Sequence, residues 1–175
     1  MIFVTVGTTS RPFHRLLDAM DRMAPTLGEK VVAQTGASSV MYGNMECQQY
    51  MSEEEMTHNY DDASLIVCHA GVGTIRNGLA RDIPLVLVPR KASLDEADTD
   101  HQMMIARKVV DMGRGVCVED ISQLERAIAC ARGLEFPHYE ETTELRDFLS
   151  GLLSDIASER CTRHRNMSQH HIFRK

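Results

Sequence analysis

No two cysteines stand at CxxC spacing: Cys47, Cys68, Cys117, Cys130 and Cys161 are odd in number and widely spaced. That pattern supports neither a zinc site nor a disulfide framework. Cys68 and Cys117 fall inside strand-like runs and read as small buried hydrophobes. Reduced thiols fit a cytoplasmic protein. No run approaches the roughly 20 apolar residues of a membrane span. Met1-Ile2-Phe3-Val4-Thr5-Val6 lacks the basic start of a signal peptide and reads as a first strand. Positive charge is not in surplus: a net charge of −6 argues against nucleic acid as the main partner. A Walker A loop is missing, and so is any discernible Ser-His-Asp or Cys-His arrangement. His14, His58, His69 and His101 fall at no metal-ligand spacing. There is no internal repeat and no low-complexity segment.

What remains is the composition of one ordinary domain: 175 residues, 43% hydrophobic and 25% charged. A chain of this length buries about two-thirds of the surface its unfolded form exposes, so it folds without staples.

The periodicities alternate. Ile2–Val6 is a β-rich run ending in Gly7-Thr8-Thr9-Ser10. Pro12 suits the first turn of a helix capped by Ser10, with Phe13, Leu16, Leu17 and Met20 on one face. Lys30–Gln34 is a second strand followed by Thr35-Gly36-Ala37-Ser38-Ser39, and Glu46–Met51 a third. Ser52 with Glu55 forms a capping-box pattern opening a helix to Asp62. Leu65–Cys68 is a strand, Thr74–Arg81 a short helix and Pro84–Val88 another strand. After a charged loop, His101–Met112 reads as a helix closed by Gly113. Gly115–Val118 is a last strand, Ser122–Ala131 a helix and Glu140–Ser158 a longer one. Strand, polar turn and helix in repetition predict an α/β fold: an open parallel Rossmann-like sheet with helices on both faces, over residues 1–158. Residues 159–175 form a basic tail with no acidic residue from Arg160 onward. It reads either as a solvated, disordered end or as a contact for an acidic partner or anionic membrane surface.

In such sheets ligands bind where the strands' carboxyl ends meet the following turns, and the turns after three strands here are rich in Gly, Ser and Thr. A helix starting at Thr74 would offer free N–H groups to an anion lying over His69, Gly71, Val72 and Gly73. The other reading is a tight turn that chooses glycine for its dihedrals. A dinucleotide fingerprint fits poorly, because Arg76 holds its third glycine position and the next strand ends in Pro89-Arg90 without an acidic residue. Asp98-Thr99-Asp100 matches a D-x-D metal-holding pattern, yet Asp100 equally suits a helix cap. Asp100 and Gln102 make better sense as hydrogen-bonding groups for the hydroxyls of a neutral polar ligand. Arg90-Lys91 either adds positive charge to the same rim or is a solvated strand end.

Taken in order, "IFVTVGTT…PFHRLL", "QTGASS", "SLIVCHAGVGT", "PLVLVPR" and "DTDHQ" resemble the C-terminal, donor-binding domain of glycosyltransferase family 28. The likeness is greatest to its free-standing single-domain members. These are the catalytic subunit that adds the second N-acetylglucosamine to dolichol diphosphate-N-acetylglucosamine, and exopolysaccharide counterparts. It runs from Met1 to about Cys117.

The resemblance implies one half of a two-domain, GT-B type enzyme that uses a UDP-sugar, with no cofactor and no tightly bound metal. It implies that the donor diphosphate lies over His69, Gly71, Val72, Gly73 and Thr74, with Gly7, Thr8 and Thr9 on the same rim. Asp100, His101 and Gln102 would face the donor sugar, with Arg90 nearby. Asn77 stands where the peptidoglycan relative has a ribose-binding glutamate. Asparagine still hydrogen-bonds hydroxyls, so the ribose contact changes character.

The resemblance further implies a membrane-anchored, acceptor-binding partner subunit, a lipid-linked sugar acceptor and an inverting transfer whose base lies on the partner. The protein would then be cytoplasmic and peripheral to the membrane through that partner, with the helix over 140–158 and the tail as docking elements. The rival readings are a non-catalytic nucleotide-sugar-binding subunit, a nicotinamide-dependent enzyme, and a hydrolase or epimerase of UDP-sugars.

Overall fold

The computed structural model describes residues 1–134 and 150–151. The chain divides into two units, Met1–Tyr139 and Glu140–Lys175. Of the second, Ser150 and Gly151 are helical and exposed. The rest of the expected 140–158 helix and the basic tail lie outside the described residues.

The first unit is built on one sheet. Its strands are β1 (Ile2–Thr5), β2 (Val31–Gln34), β3 (Glu46–Gln48), β4 (Leu65–Cys68), β5 (Leu85–Leu87) and β6 (Gly115–Cys117). They lie in the order β3-β2-β1-β4-β5-β6, and every neighbouring pair is parallel. The helices are α1 (His14–Met23), α2 (Glu53–Asp61), α3 (Val72–Leu79), α4 (His101–Asp111) and α5 (Leu124–Arg132).

Central parallel strands are covered on both faces and so must be apolar throughout. The strands IFVT, LIVC and LVL obey this, with every residue buried. Alternation sends Ile2, Val4, Leu65, Val67 and Val86 to one face, against Leu16, Leu17 and Met20 of α1 and Leu124 and Ile128 of α5. On the other face Phe3 meets Tyr60 of α2 edge-on, with ring centroids 5.3 Å apart. There Gly78 lets α3 settle onto the sheet, since a Cβ at that position would stand 2.6 Å from Leu85 Cδ2. The expected doubly covered parallel sheet is the fold observed.

Several boundaries differ from expectation. Helix α1 begins at His14 with Phe13 as its uncapped N-cap, so Ser10 caps nothing and Pro12 precedes the helix. The stretch 7–13 is instead a wide turn. The third strand stops at Gln48 and is exposed along its length, as befits an edge strand with polar residues. The segment expected as a helix from Ser122 opens with a 3-10 turn, Ile121–Gln123, because Asp120 accepts a bond from the Ser122 N–H and tightens the entry. Cys117 is half-buried rather than fully enclosed. The Ser52–Glu55 capping box and the left-handed Gly113 (φ 69°) appear as read from the sequence.

The strand order reverses between β1 and β4. From β1 the chain winds outward through β2 and β3, then returns to place β4 on β1's other side. In open sheets of this kind the ligand crevice lies at such a reversal, beyond the carboxyl ends of the two strands.

Candidate functional site

Two turns frame the crevice. After β1, Gly7 takes a left-handed φ of 77°, and Thr8 and Thr9 are exposed. The turn is fixed from below by Gln34: its Oε1 accepts the Thr5 hydroxyl at 2.7 Å, and its Nε2 donates to the Gly7 carbonyl at 3.1 Å. After β4, Ala70 is forced to φ 62° while fully buried. A non-glycine residue in this region carries strain of order 1–3 kcal/mol, a feature that clusters at functional sites.

Helix α3 then starts at Val72, two residues earlier than the sequence suggests, with Gly71 as N-cap. No side chain caps it and no acidic residue lies in its first turn. Its opening N–H groups, at Val72, Gly73 and Thr74, have no partner within the helix by geometry, and the positive end of the dipole faces the crevice. Gly73 is exposed, and a Cβ there would meet nothing within 4 Å.

The other two glycines serve a different purpose. Cβ atoms on Gly7 and Gly71 would both run into the imidazole of His69, at Gly7 as close as 2.8 Å to Nε2. The ring thus fills the gap between the two turns. Its Nδ1 lies 3.3 Å from the Thr5 carbonyl, which can only accept, so Nδ1 carries the proton and Nε2 keeps a lone pair. Burial, together with the charge of Arg90, pushes the His69 pKa down to about 4 against the Thr5 bond. His69 is therefore neutral at pH 7 and shapes the crevice without adding cationic charge.

The remaining expected residues are placed as follows. Thr74 sits in the first turn of α3 but is buried, and its Oγ1 accepts the Tyr60 hydroxyl at 3.4 Å. Its side chain turns to Tyr60 of α2, and what it offers the crevice is its backbone N–H. Asn77, one turn further along, donates to the Gly73 carbonyl at 2.9 Å and accepts from Arg81 Nη1 at 3.0 Å. Both ends of its amide are thereby engaged, one within α3 and the other by Arg81 just beyond it.

Asp100, His101 and Gln102 stand together at the start of α4. Asp100 does not cap that helix; its Oδ1 accepts the Ala92 N–H at 2.9 Å. His101 Nδ1 lies 3.0 Å from Thr99 Oγ1, and Gln102 Oε1 accepts the Arg90 N–H at 3.0 Å. Asp98 turns to Arg11 at 2.7 Å. Among the described residues no group of His, Cys, Asp and Glu is arranged to hold a metal ion.

Arg90 requires a correction. Neither a charge on the rim nor a solvated strand end describes it, for it is 2% exposed. Its guanidinium stacks on Phe13, 4.5 Å from the ring centroid, and reaches inward to main-chain carbonyls. Burial draws its pKa down to about 10, with Glu96 opposing, so it remains a cation at neutral pH.

Sequence reasoning also missed Gln34, whose only signal is a polar residue closing the apolar strand VVAQ. It missed the pair Arg15–Glu96 as well, joined by two bonds of 2.8 Å and mostly buried. The turn after β2 differs too. Thr35 and Ser38 are buried, and Gly36 packs so tightly that a Cβ would stand 2.8 Å from the Gly7 carbonyl oxygen. That turn buttresses the crevice from behind.

Residues 1–169 match the glycosyltransferase family 28 C-terminal domain. Over 94 residues the chain is 28% identical to the UDP-N-acetylglucosamine–N-acetylmuramyl-(pentapeptide) pyrophosphoryl-undecaprenol N-acetylglucosamine transferase of Francisella philomiragia. That stretch covers 53% of this chain and 23% of the relative, so the chain spans about a quarter of the relative's length. Among solved structures, the NMR structure of ALG13 superposes with a TM-score of 0.59 at 17% identity, covering 87% of this chain and 94% of that one. The crystal structure of the kitacinnamycin glycotransferase gives a TM-score of 0.58 at 19% identity, over 86% of this chain and 37% of that one. At these identities the structural likeness speaks for the fold: one Rossmann-like half of a GT-B glycosyltransferase.

Proposed function

The chain belongs to glycosyltransferase family 28 through that family's C-terminal domain, and from this membership we propose that it is the donor-binding, catalytic subunit of a heteromeric inverting glycosyltransferase. The donor is a UDP-sugar, with N-acetylglucosamine the sugar its relative's name suggests, and the acceptor is lipid-linked. The observation that carries the reading is the uncapped N-terminus of α3, open at Gly73, at the point where the strand order reverses. The diphosphate lies against the N–H groups of Val72, Gly73 and Thr74, with Gly7, Thr8 and Thr9 closing the other side. Asp100, His101 and Gln102 read the sugar hydroxyls, and Asn77 faces the ribose.

In the transfer, the acceptor hydroxyl attacks the anomeric carbon from the face opposite the nucleotide. A new C–O bond forms as the bond to the diphosphate breaks, and its electron pair departs on the β-phosphate oxygen. The hydroxyl proton passes to a base on the acceptor-binding subunit. The α3 N–H groups stabilise the charge growing on the leaving diphosphate, an effect worth about 3–4 kcal/mol for a well-aimed donor. His69, neutral and wedged between the two turns, keeps the cradle's shape. The reaction on this reading needs no metal or cofactor.

No helix among the described residues is long and apolar enough to cross a membrane. The reading assigns membrane attachment and acceptor binding to a separate anchored subunit, which holds the protein at the cytoplasmic membrane face. Titration calorimetry with the full chain tests the donor site: UDP and UDP-N-acetylglucosamine are expected to bind and NADH is not. Tight NADH binding without UDP binding would refute the reading. Robust sugar transfer by the purified chain alone would refute the two-subunit arrangement.

A further inference from the structure

Arg90 stands on the loop after β5, yet its hydrogen bonds reach across the sheet's carboxyl edge. Nη1 donates to the carbonyls of Arg11 at 3.1 Å, Pro12 at 3.2 Å and Glu96 at 3.2 Å, and Nη2 donates to that of Val6 at 3.0 Å. Its own N–H donates to Gln102 Oε1 at 3.0 Å. One residue therefore holds both ends of the wide turn carrying Gly7, Thr8 and Thr9, the loop through Glu96, and the first turn of α4.

Beside it, Arg15 grips the Glu96 carboxylate and donates to the Pro89 carbonyl at 2.9 Å, while the Lys91 N–H donates to the same carboxylate at 3.0 Å. At the surface Arg11 and Asp98 make a second, exposed link between the same two loops. A planar fork of fixed donors suits this task in a way that an ammonium does not.

From this geometry we propose that Arg90 is a positioning residue that sets the distance between the turn at Gly7–Thr9 and the side chains of Asp100–Gln102. The inference rests on the donor-site reading, in which the first group meets the diphosphate and the second the sugar. Arg90 touches neither; it determines whether both can touch one molecule at once. Free UDP engages one side of that span, whereas a UDP-sugar needs both. The ratio of UDP-sugar to UDP affinity then depends on Arg90.

The test compares the full-length wild type with Arg90→Lys, Arg11→Ala and Gln102→Leu, using calorimetry and hydrogen exchange of the ligand-free chain. Arg90→Lys is expected to weaken UDP-N-acetylglucosamine about tenfold and UDP less than about threefold, since misplacement of a bound group by an ångström or so costs at least that much. Exchange is expected to rise together in residues 7–13 and 92–102, and not in α2 or α5. Arg11→Ala, which cuts only the exposed link, is expected to change neither readout appreciably.

An unchanged ratio of the two affinities in folded Arg90→Lys would overturn the proposal, as would a rise in exchange confined to one loop. Should Arg90→Lys fail to fold, Gln102→Leu decides. It cuts the last link alone, so the first turn of α4 must exchange faster while residues 7–13 stay as they were, and any other pattern overturns the inference. If the wild type binds neither nucleotide, the donor-site reading fails by itself, and the exchange data still decide whether Arg90 couples the loops.

Discussion

Helices α2 and α3 begin within twenty residues of one another and treat their first turns in opposite ways. At α2 the Ser52 hydroxyl accepts the Glu55 N–H at 3.2 Å, and the Glu55 carboxylate accepts the Ser52 N–H at 2.7 Å. Glu53, Glu54 and Glu55 further neutralise the dipole. At α3 there is a glycine for a cap, no capping side chain and no acid. A helix end without internal partners leaves its N–H groups to solvent or to a ligand. The chain satisfies one helix terminus by itself and keeps the other unsatisfied beside the strand-order reversal. An anion site is better defined by this contrast than by its glycines, two of which make room for His69.

The largest effect should come from giving α3 what α2 already has. Gly73→Asp puts a carboxylate on the open first turn, where a Cβ meets nothing within 4 Å. For folding this is neutral or favourable, because an acid near a helix N-terminus contributes about 0.3–1 kcal/mol and glycine is a poor helix former. For a diphosphate it is repulsive, at about 4 kcal/mol for a pair of unit charges 4 Å apart near a surface. UDP affinity is expected to fall at least about 100-fold with a melting temperature equal to or above that of the wild type. Wild-type affinity in the folded variant would mean that the diphosphate does not use this terminus.

How much of this was legible in the sequence depends on what each residue answers to. The apolar strands, the Ser52–Glu55 box and the closing Gly113 answer to local rules, and the structure has them where periodicity and capping put them. The start of α3 was misplaced to Thr74 because a first turn with no capping side chain carries no local mark. Arg90 was misread for a related reason. A cation at a strand end looks solvated until the chain returns through Val6, Arg11 and Pro12 to offer it carbonyls. Gly78 does for α3 what the dinucleotide fingerprint asks of its third glycine, close packing on the sheet, two positions later than that pattern expects.

Acid should separate the two termini by a smaller amount. His69, with its pKa at about 4 against an ordinary 6.5, binds its proton more readily in the unfolded chain. Its contribution to stability is therefore complete above about pH 6.5 and is lost as the pH falls from there toward 4, with a slope of at most about 1.4 kcal/mol per pH unit. At α2, Glu55 is held below its usual carboxylate range, first by the Ser52 N–H and then by the Gln48 side chain. Its contribution is present above about pH 4.5, the carboxylate's ordinary value, and is lost below it as the pH falls through the lowered folded value. Denaturant midpoints from pH 7 to pH 4.5 are expected to fall in the wild type and much less in His69→Gln. Equal pH dependence in the two proteins would assign the acid sensitivity to another group.

The smallest change removes the satisfaction that α2 enjoys. Ser52→Ala deletes the hydroxyl accepting the Glu55 N–H, and losing such a cap costs about 1 kcal/mol. The Glu55 carboxylate can still accept the residue 52 N–H, which holds the loss near the lower end. Ser52 is exposed and opens α2 after the edge strand β3, and its hydroxyl is engaged by the Glu55 N–H. The variant is therefore expected to lower the denaturant midpoint slightly and to bind UDP as the wild type does. Set beside Gly73→Asp, it makes a double dissociation: one helix terminus spends its N–H groups on stability, the other on a ligand. A Ser52→Ala protein that lost UDP affinity in proportion to its stability would erase the distinction between the two termini.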